Sequence, residues 1–216
     1  MAADLRGTLS PARDQGNRGT CVAFAVTAAH EVHRDRGEDL SEEFLYWASK
    51  QRDGLVGRSG TTIQAAVDAL AAVGQADETC WPYEADGDER SGLRVPTDDV
   101  LADAATRLWS AIQPLSLTVA DLVTRLDAGI PVVLATWVYE NWRRPPGALI
   151  SLPDRTDRRL GRHAVLLVGY LDPAVSPTMI FRNSWGPGWG DDGYGYMASD
   201  YVVECGIAAW GTGVAR

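Results

Sequence analysis

The sequence predicts an α+β protein, a helical part followed by a sheet part, and three observations carry that reading. Apolar residues recur at helical spacing through most of the first half. Short apolar, β-rich runs separated by Gly, Pro and Asp fill the second half. No internal repeat or low-complexity linker interrupts the 216 residues. The expectation is one domain over residues 1–216, with a helical lobe at about 12–112, a β lobe at about 113–216 together with the N-terminal residues, and a cleft between them.

The helical elements come first. After the glycine-rich loop "DQGNRGT", Thr20 reads as a cap, and Val22, Ala23, Phe24, Ala25, Val26, Ala28 and Ala29 read as a buried helix over 21–35. "SEEFLYWASKQ" (41–51) has Ser41 as N-cap and acidic residues in its first turn. "TTIQAAVDALAAVG" (61–74) places Ile63, Ala66, Val67 and Leu70 on one face and stops at Gly74. "WPYEAD" reads as a turn, and "VPTDDVLADAATRLWS" as part loop and part strand. One more helix, 118–129, closes at Gly129. Then come the strand-like runs "IPVVLATWVY", "RHAVLLVGYLD", "TMIFRNSWG" and "GYGYMAS", read as antiparallel sheet.

Composition narrows the function. Hydrophobic residues at 45% and charged residues at 23% are ordinary for a globular protein. The net charge of −9 argues against general nucleic-acid binding. No apolar run reaches the roughly 18 residues that span a bilayer, and no secretory leader is visible, so the expected location is cytoplasmic, with no membrane partner. The basic piece "RTDRRLGR" (155–162) reads as a solvated loop. Cys21, Cys80 and Cys205 lack the spacing of a zinc site or a disulfide framework, so no metal and no cofactor are expected. At most, Cys80 and Cys205 pair if they meet in space.

Cys21 stands apart by its position at the start of a helix, where a thiolate is favoured. Such a nucleophile also needs an imidazole. His30 and His33 lie along the same helix, away from Cys21, and read as an exposed helical face. His163 opens an apolar strand, the place where a sheet lobe presents a side chain to a cleft. Asn183 follows in a Gly- and Trp-rich turn. Its side-chain oxygen can accept from one ring N–H and so aim the other nitrogen at the thiol. Trp185 could cover that hydrogen bond. Gln15, on the loop that wraps the helix start, could join the Cys21 N–H in stabilising an oxyanion.

In this order, "DQGNRGTCVAFAV", "HAVLLVGY" and "NSWGPGWGDDGYGYM" resemble the papain family of cysteine peptidases. His163 follows Cys21 by 142 residues, inside the family interval of about 130 to 150. Asn183 falls somewhat later, which points to a longer loop at "DPAVSPT". "DLRG" resembles the family's mature start, "LSEEFL" its second helix, "ETCWPYEA" its tyrosine turn and "ECGIAAW" its last strand. The resemblance implies a papain-like two-lobed fold with a helical left lobe and an antiparallel, β-barrel-like right lobe. It implies Cys21 as nucleophile, His163 as general base and then acid, Asn183 as the orienting group and Gln15 in the oxyanion hole. Gly60 would hydrogen-bond the substrate backbone. Ala164 and Trp210 would line the pocket for the residue two before the scissile bond, with Trp210 making it short.

Some residues depart from the family pattern. Arg18 stands where many relatives carry a disulfide cysteine, Val22 follows the nucleophile where many carry Trp, and "GLVGRSGT" lacks the cysteine of the corresponding segment. These departures, with "GALISLP" followed by "GRHAV", resemble a bacterial-type branch, and the expectation is a mature-like domain without a pro-segment. The expected partner is a peptide or protein substrate. Three functions stay open: a cysteine peptidase acting through an acyl-thioester, a dedicated processing or acyl-transfer enzyme, and an inactive peptide-binding module.

Overall fold

The computed structural model describes residues 3–34, 37–87, 94–171 and 176–213. The chain divides into two compact units, Gln15–Ile112 on one side and Met1–Asp14 with Gln113–Arg216 on the other.

The first unit is helical. Helix α1 (Cys21–Arg34) buries every residue from Val22 to His30. A helix apolar all round belongs in a core, and its alanines at 23, 25, 28 and 29 let neighbours approach closely. Helices α2 (Glu42–Lys50) and α3 (Ile63–Val73) both pack on it. Each starts at a side-chain cap, Ser41 Oγ accepting from Phe44 N and Thr62 Oγ1 from Ala65 N. The stretch read as part loop and part strand forms helix α4 (Asp98–Ala104) instead. Asp98 and Asp99 occupy its first turn, where the helix dipole favours them.

The histidine pair on α1 also differs from expectation. His33 is exposed, but His30 is fully buried. Trp109 stacks on both rings, and Gln75 Oε1 lies 2.9 Å from His30 Nδ1. Partners distant in sequence turned an expected surface residue into a core residue.

The second unit holds helix α5 (Val119–Asp127), helix α6 (Ser199–Cys205) and a seven-stranded sheet. Its strands are β1 (Ile112–Leu115), β2 (Val132–Tyr139), β3 (Leu149–Ile150), β4 (Arg159–Leu171), β5 (Thr178–Arg182), β6 (Tyr194–Ala198) and β7 (Gly206–Thr212). Their order is β1-β7-β2-β4-β5-β6-β3. The central pairs are antiparallel, but β3 runs parallel to β6. The expected antiparallel barrel is thus corrected to an open, mixed sheet among the described residues. Closure would require the two edge strands to pair, yet β1 and β3 are short and lie at opposite edges.

One face of the sheet carries Leu134, Val165, Leu167 and Ala209 against Leu122, Trp142, Tyr201 and Val202. The segment 172–175, within the expected longer loop, lies outside the described residues.

Candidate active site

In the helical unit, Cys21 is the first residue of α1 and is partly exposed. The Thr20 carbonyl accepts the helical bond from Phe24 N at 3.1 Å, as a cap residue does. Its hydroxyl meets Tyr83 Oη at 2.7 Å, and Tyr83 Oη–H donates to the Gln15 carbonyl at 2.8 Å. Tyr83, which the sequence placed only in a turn, therefore ties both ends of the loop that leads to Cys21. Burial pushes its phenol up to about 12, so it serves as a neutral donor.

Gln15 is buried and donates from Nε2 to the Arg18 carbonyl at 2.6 Å. Arg18 turns inward to a buried ion pair with Glu43, donates from Nη1 to the Glu84 carbonyl at 2.7 Å, and lies over the rings of Tyr83 and Tyr46. Gly19 touches the next loop. A Cβ there would sit 2.4 Å from Ser59 Oγ and 2.6 Å from Gly60 N, so only glycine fits. Gly60 itself donates its N–H to Tyr46 Oη at 3.2 Å and accepts from Lys50 Nζ at 3.0 Å. Gln15, Gly19, Cys21 and Gly60 thus belong to one loop cluster at the head of α1.

In the sheet unit, His163 is the fifth residue of β4 rather than its first, opposite Thr136 of β2. The strand starts earlier because Arg159 and Gly161 pair with Tyr139 and Val138 across a bulge. Nε2 of His163 lies 2.7 Å from Asn183 Oδ1. The Ser184 N–H donates to the same oxygen at 2.9 Å, which fixes the amide orientation. An amide oxygen only accepts, so Nε2 carries the proton and Nδ1 of the neutral ring is the basic nitrogen.

Tryptophans enclose this pair. Trp185 lies 4.9 Å from the imidazole and Trp142 meets it edge-on at 6.1 Å. Trp142 is fully buried and donates Nε1–H to Tyr201 Oη at 2.8 Å. Its carbonyl accepts from Trp189 Nε1 at 2.8 Å. The sequence reading missed Trp142, which has no motif of its own. Burial pushes the His163 ring down to about 4, opposed by the hydrogen bond to Asn183.

Ala164 and Trp210 are both buried. Through β2 the register aligns Ala164 with Ala135, and Trp210 with Val133. Paired residues share a face and side chains alternate, so both lie on the face opposite the Trp142 cluster. Cys80 and Cys205 are free thiols, exposed and buried respectively. No group of three acidic, His or Cys side chains among the described residues could hold a metal ion. Nor is any described helix long and apolar enough to cross a membrane.

Comparison with known proteins identifies the family of the chain. The family model for papain family cysteine protease matches residues 2–213. Procathepsin L of Felis catus is 33% identical over 218 residues, covering 94% of this chain and 61% of that protein. Peptidase 1 of Dermatophagoides farinae is 29% identical over 200 residues, covering 90% and 59%. The chain therefore spans about three fifths of the length of the curated relatives it matches. The crystal structure of xylellain, a cysteine protease from Xylella fastidiosa, superposes with a TM-score of 0.87 at 28% identity, covering 100% of this chain and 86% of that one. With a family match running over nearly the whole sequence and a fold shared along its full length, the chain belongs to the papain family of cysteine proteases.

Proposed function

We propose that this protein is a cysteine peptidase, a single peptidase domain that hydrolyses peptide bonds. Cys21 is the nucleophile, His163 the base and then the acid, Asn183 the orienting group and Gln15 an oxyanion donor. Nδ1 of His163 takes the thiol proton as sulfur attacks the scissile carbonyl. The oxyanion is met by the Cys21 N–H and the Gln15 amide. The imidazolium then protonates the leaving amine, the C–N bond breaks, and an acyl-thioester remains on Cys21. Water, deprotonated by the same ring, attacks the thioester and frees the acid and the thiol.

The observation that best supports this reading is the His163–Asn183 hydrogen bond under Trp185, which selects the tautomer the chemistry needs. Gly60 would hold the substrate backbone through its carbonyl, which can accept a second hydrogen bond. Ala164 and Trp210 would bound a short apolar pocket. The three free thiols fit a reducing, cytoplasmic setting.

Alkylation tests the reading. Cys80 is exposed and Cys21 only partly so, so labelling governed by access alone would favour Cys80. Iodoacetamide should instead modify Cys21 first. A peptide library with products identified by mass spectrometry should show cleavage that Cys21→Ala abolishes. Equal labelling of Cys21 and Cys80 together with no turnover would overturn the assignment. Amine-capped products would point to acyl transfer, and fast labelling of Cys21 without cleavage to a dedicated substrate.

A further inference from the structure

A cavity of about 460 Å³ opens on the sheet unit, lined by Arg143, Arg144, Ala148, Trp189, Asp191 and Tyr196 among others. Two adjacent guanidinium groups at one pocket are unexpected in a chain of net charge −9. Both arginines are exposed, and neither forms an ion pair within the described residues. The nearby acids have their own partners. Glu140, which feels the charge of Arg143, is bonded to Arg158 at 2.8 Å. Asp191 accepts from Tyr196 Oη at 2.6 Å and lies 3.7 Å from Arg6. The positive charge of Arg143 and Arg144 is left for something else.

The pocket walls are shaped by turns under constraint. Ala148 and Asp192 are the only non-glycine residues with positive φ among the described residues, at 59° and 51°. Ala148 lines the pocket and Asp192 directly follows a lining residue. A Cβ on Gly190 would sit 2.2 Å from the Tyr194 carbonyl oxygen and 3.5 Å from Ala148 Cβ, so the two turns abut. Such backbone states persist only where the surroundings impose them, and they cluster at binding sites.

Trp189 joins this pocket to the imidazole. Its ring lies 5.5 Å from Trp185, which lies against His163. In the mechanism above His163 protonates the leaving amine, so the departing fragment lies on the side of this ring. We infer that the pocket binds a carboxylate on the leaving fragment of a peptide substrate, through the guanidinium groups of Arg143 and Arg144. Paired guanidinium–carboxylate hydrogen bonds would give both orientation and charge selection. The inference rests on the peptidase reading and narrows its substrate class to peptides acidic after the cleaved bond. The carboxylate can come from an acidic side chain or from the peptide C-terminus.

Internally quenched peptides separate these sources. One set carries Glu, Gln or Lys at each of the three positions after the cleaved bond, and a second compares a free C-terminal acid with its amide. The best Glu or free-acid peptide should exceed its neutral match in kcat/KM by about fivefold, with Lys below both, and the advantage should shrink in high salt. In Arg143→Gln/Arg144→Gln the ratio should fall to about one, and Arg143→Lys/Arg144→Lys should keep part of it. Equal rates for acidic and neutral peptides, or a preference that survives the double Gln variant, would overturn the inference. Fluorescence anisotropy of labelled Glu and Gln peptides on Cys21→Ala provides a readout without turnover. Arginine-dependent preference in binding with no cleavage by the unmodified protein would sink the peptidase reading and leave the carboxylate pocket standing. Cleavage without charge preference would sink the pocket alone.

Discussion

Nε2 of His163 and Oδ1 of Asn183 lie 2.7 Å apart, with the Ser184 N–H fixing the same oxygen. A hydrogen bond to a group that becomes charged contributes about 1.5–3 kcal/mol. Asn183→Ala should therefore lower kcat roughly 10- to 100-fold, with KM little changed and the thermal melt still cooperative. Asn183→Asp keeps the acceptor and adds a negative charge. It should retain more activity than Ala and move the acid limb of the pH profile upward, which steady-state kinetics across pH would show.

Gln15 gives a second kinetic prediction. Removing an oxyanion donor costs on the order of 100- to 1,000-fold in kcat. Gln15→Ala should show a loss of that size on a fixed peptide while Cys21 still reacts with iodoacetamide. A loss confined to KM would reassign Gln15 to substrate binding.

Acid should weaken the fold before carboxylates dominate. Burial pushes His30 down to about 4 and His163 likewise to about 4, against an unfolded value near 6.5. Between those limits the unfolded chain binds more protons than the folded one. Stability is thus full above about pH 6.5 and falls as pH drops toward 4. Melting temperatures across that range should trace the decline. His30→Gln should melt lower at pH 7 but lose less on acidification.

The buried Arg18–Glu43 pair should behave asymmetrically. Removing one partner strands a buried charge, at a cost of about 3–5 kcal/mol. Arg18→Met or Glu43→Leu alone should destabilise by about that much in urea titration. The double variant Arg18→Met/Glu43→Leu should recover much of the loss.

Placement set by local pattern was readable from the sequence. Cys21 follows a glycine-rich loop and opens an apolar helix, and Asn183 sits in a tryptophan-rich turn, so both were visible before any coordinates. The body of α1 and the caps at Ser41 and Gly74 were also local signals. What escaped depends on partners far along the chain. Tyr83 reaches back to Gln15 and Thr20. Trp142 supports His163 through packing that no spacing encodes. His30 is buried because Trp109 and Gln75 come to it. Helix α4 was missed because its short, acid-rich turn has only Val100 and Ala104 buried, too few to show a period. The sheet's openness depends on edge pairing, which alternation within single strands does not encode.

The unbroken burial of α1 from Val22 to His30 has a consequence for the sulfur at its head. Local fluctuations free loops and termini first, and packed helices yield only with the whole domain. The backbone bearing that thiol is therefore anchored to the slowest-opening part of its unit. Amide hydrogen exchange along α1 should report an opening free energy equal to that of the whole unit, so mild denaturant would erode the surrounding loops while residue 21 kept its place.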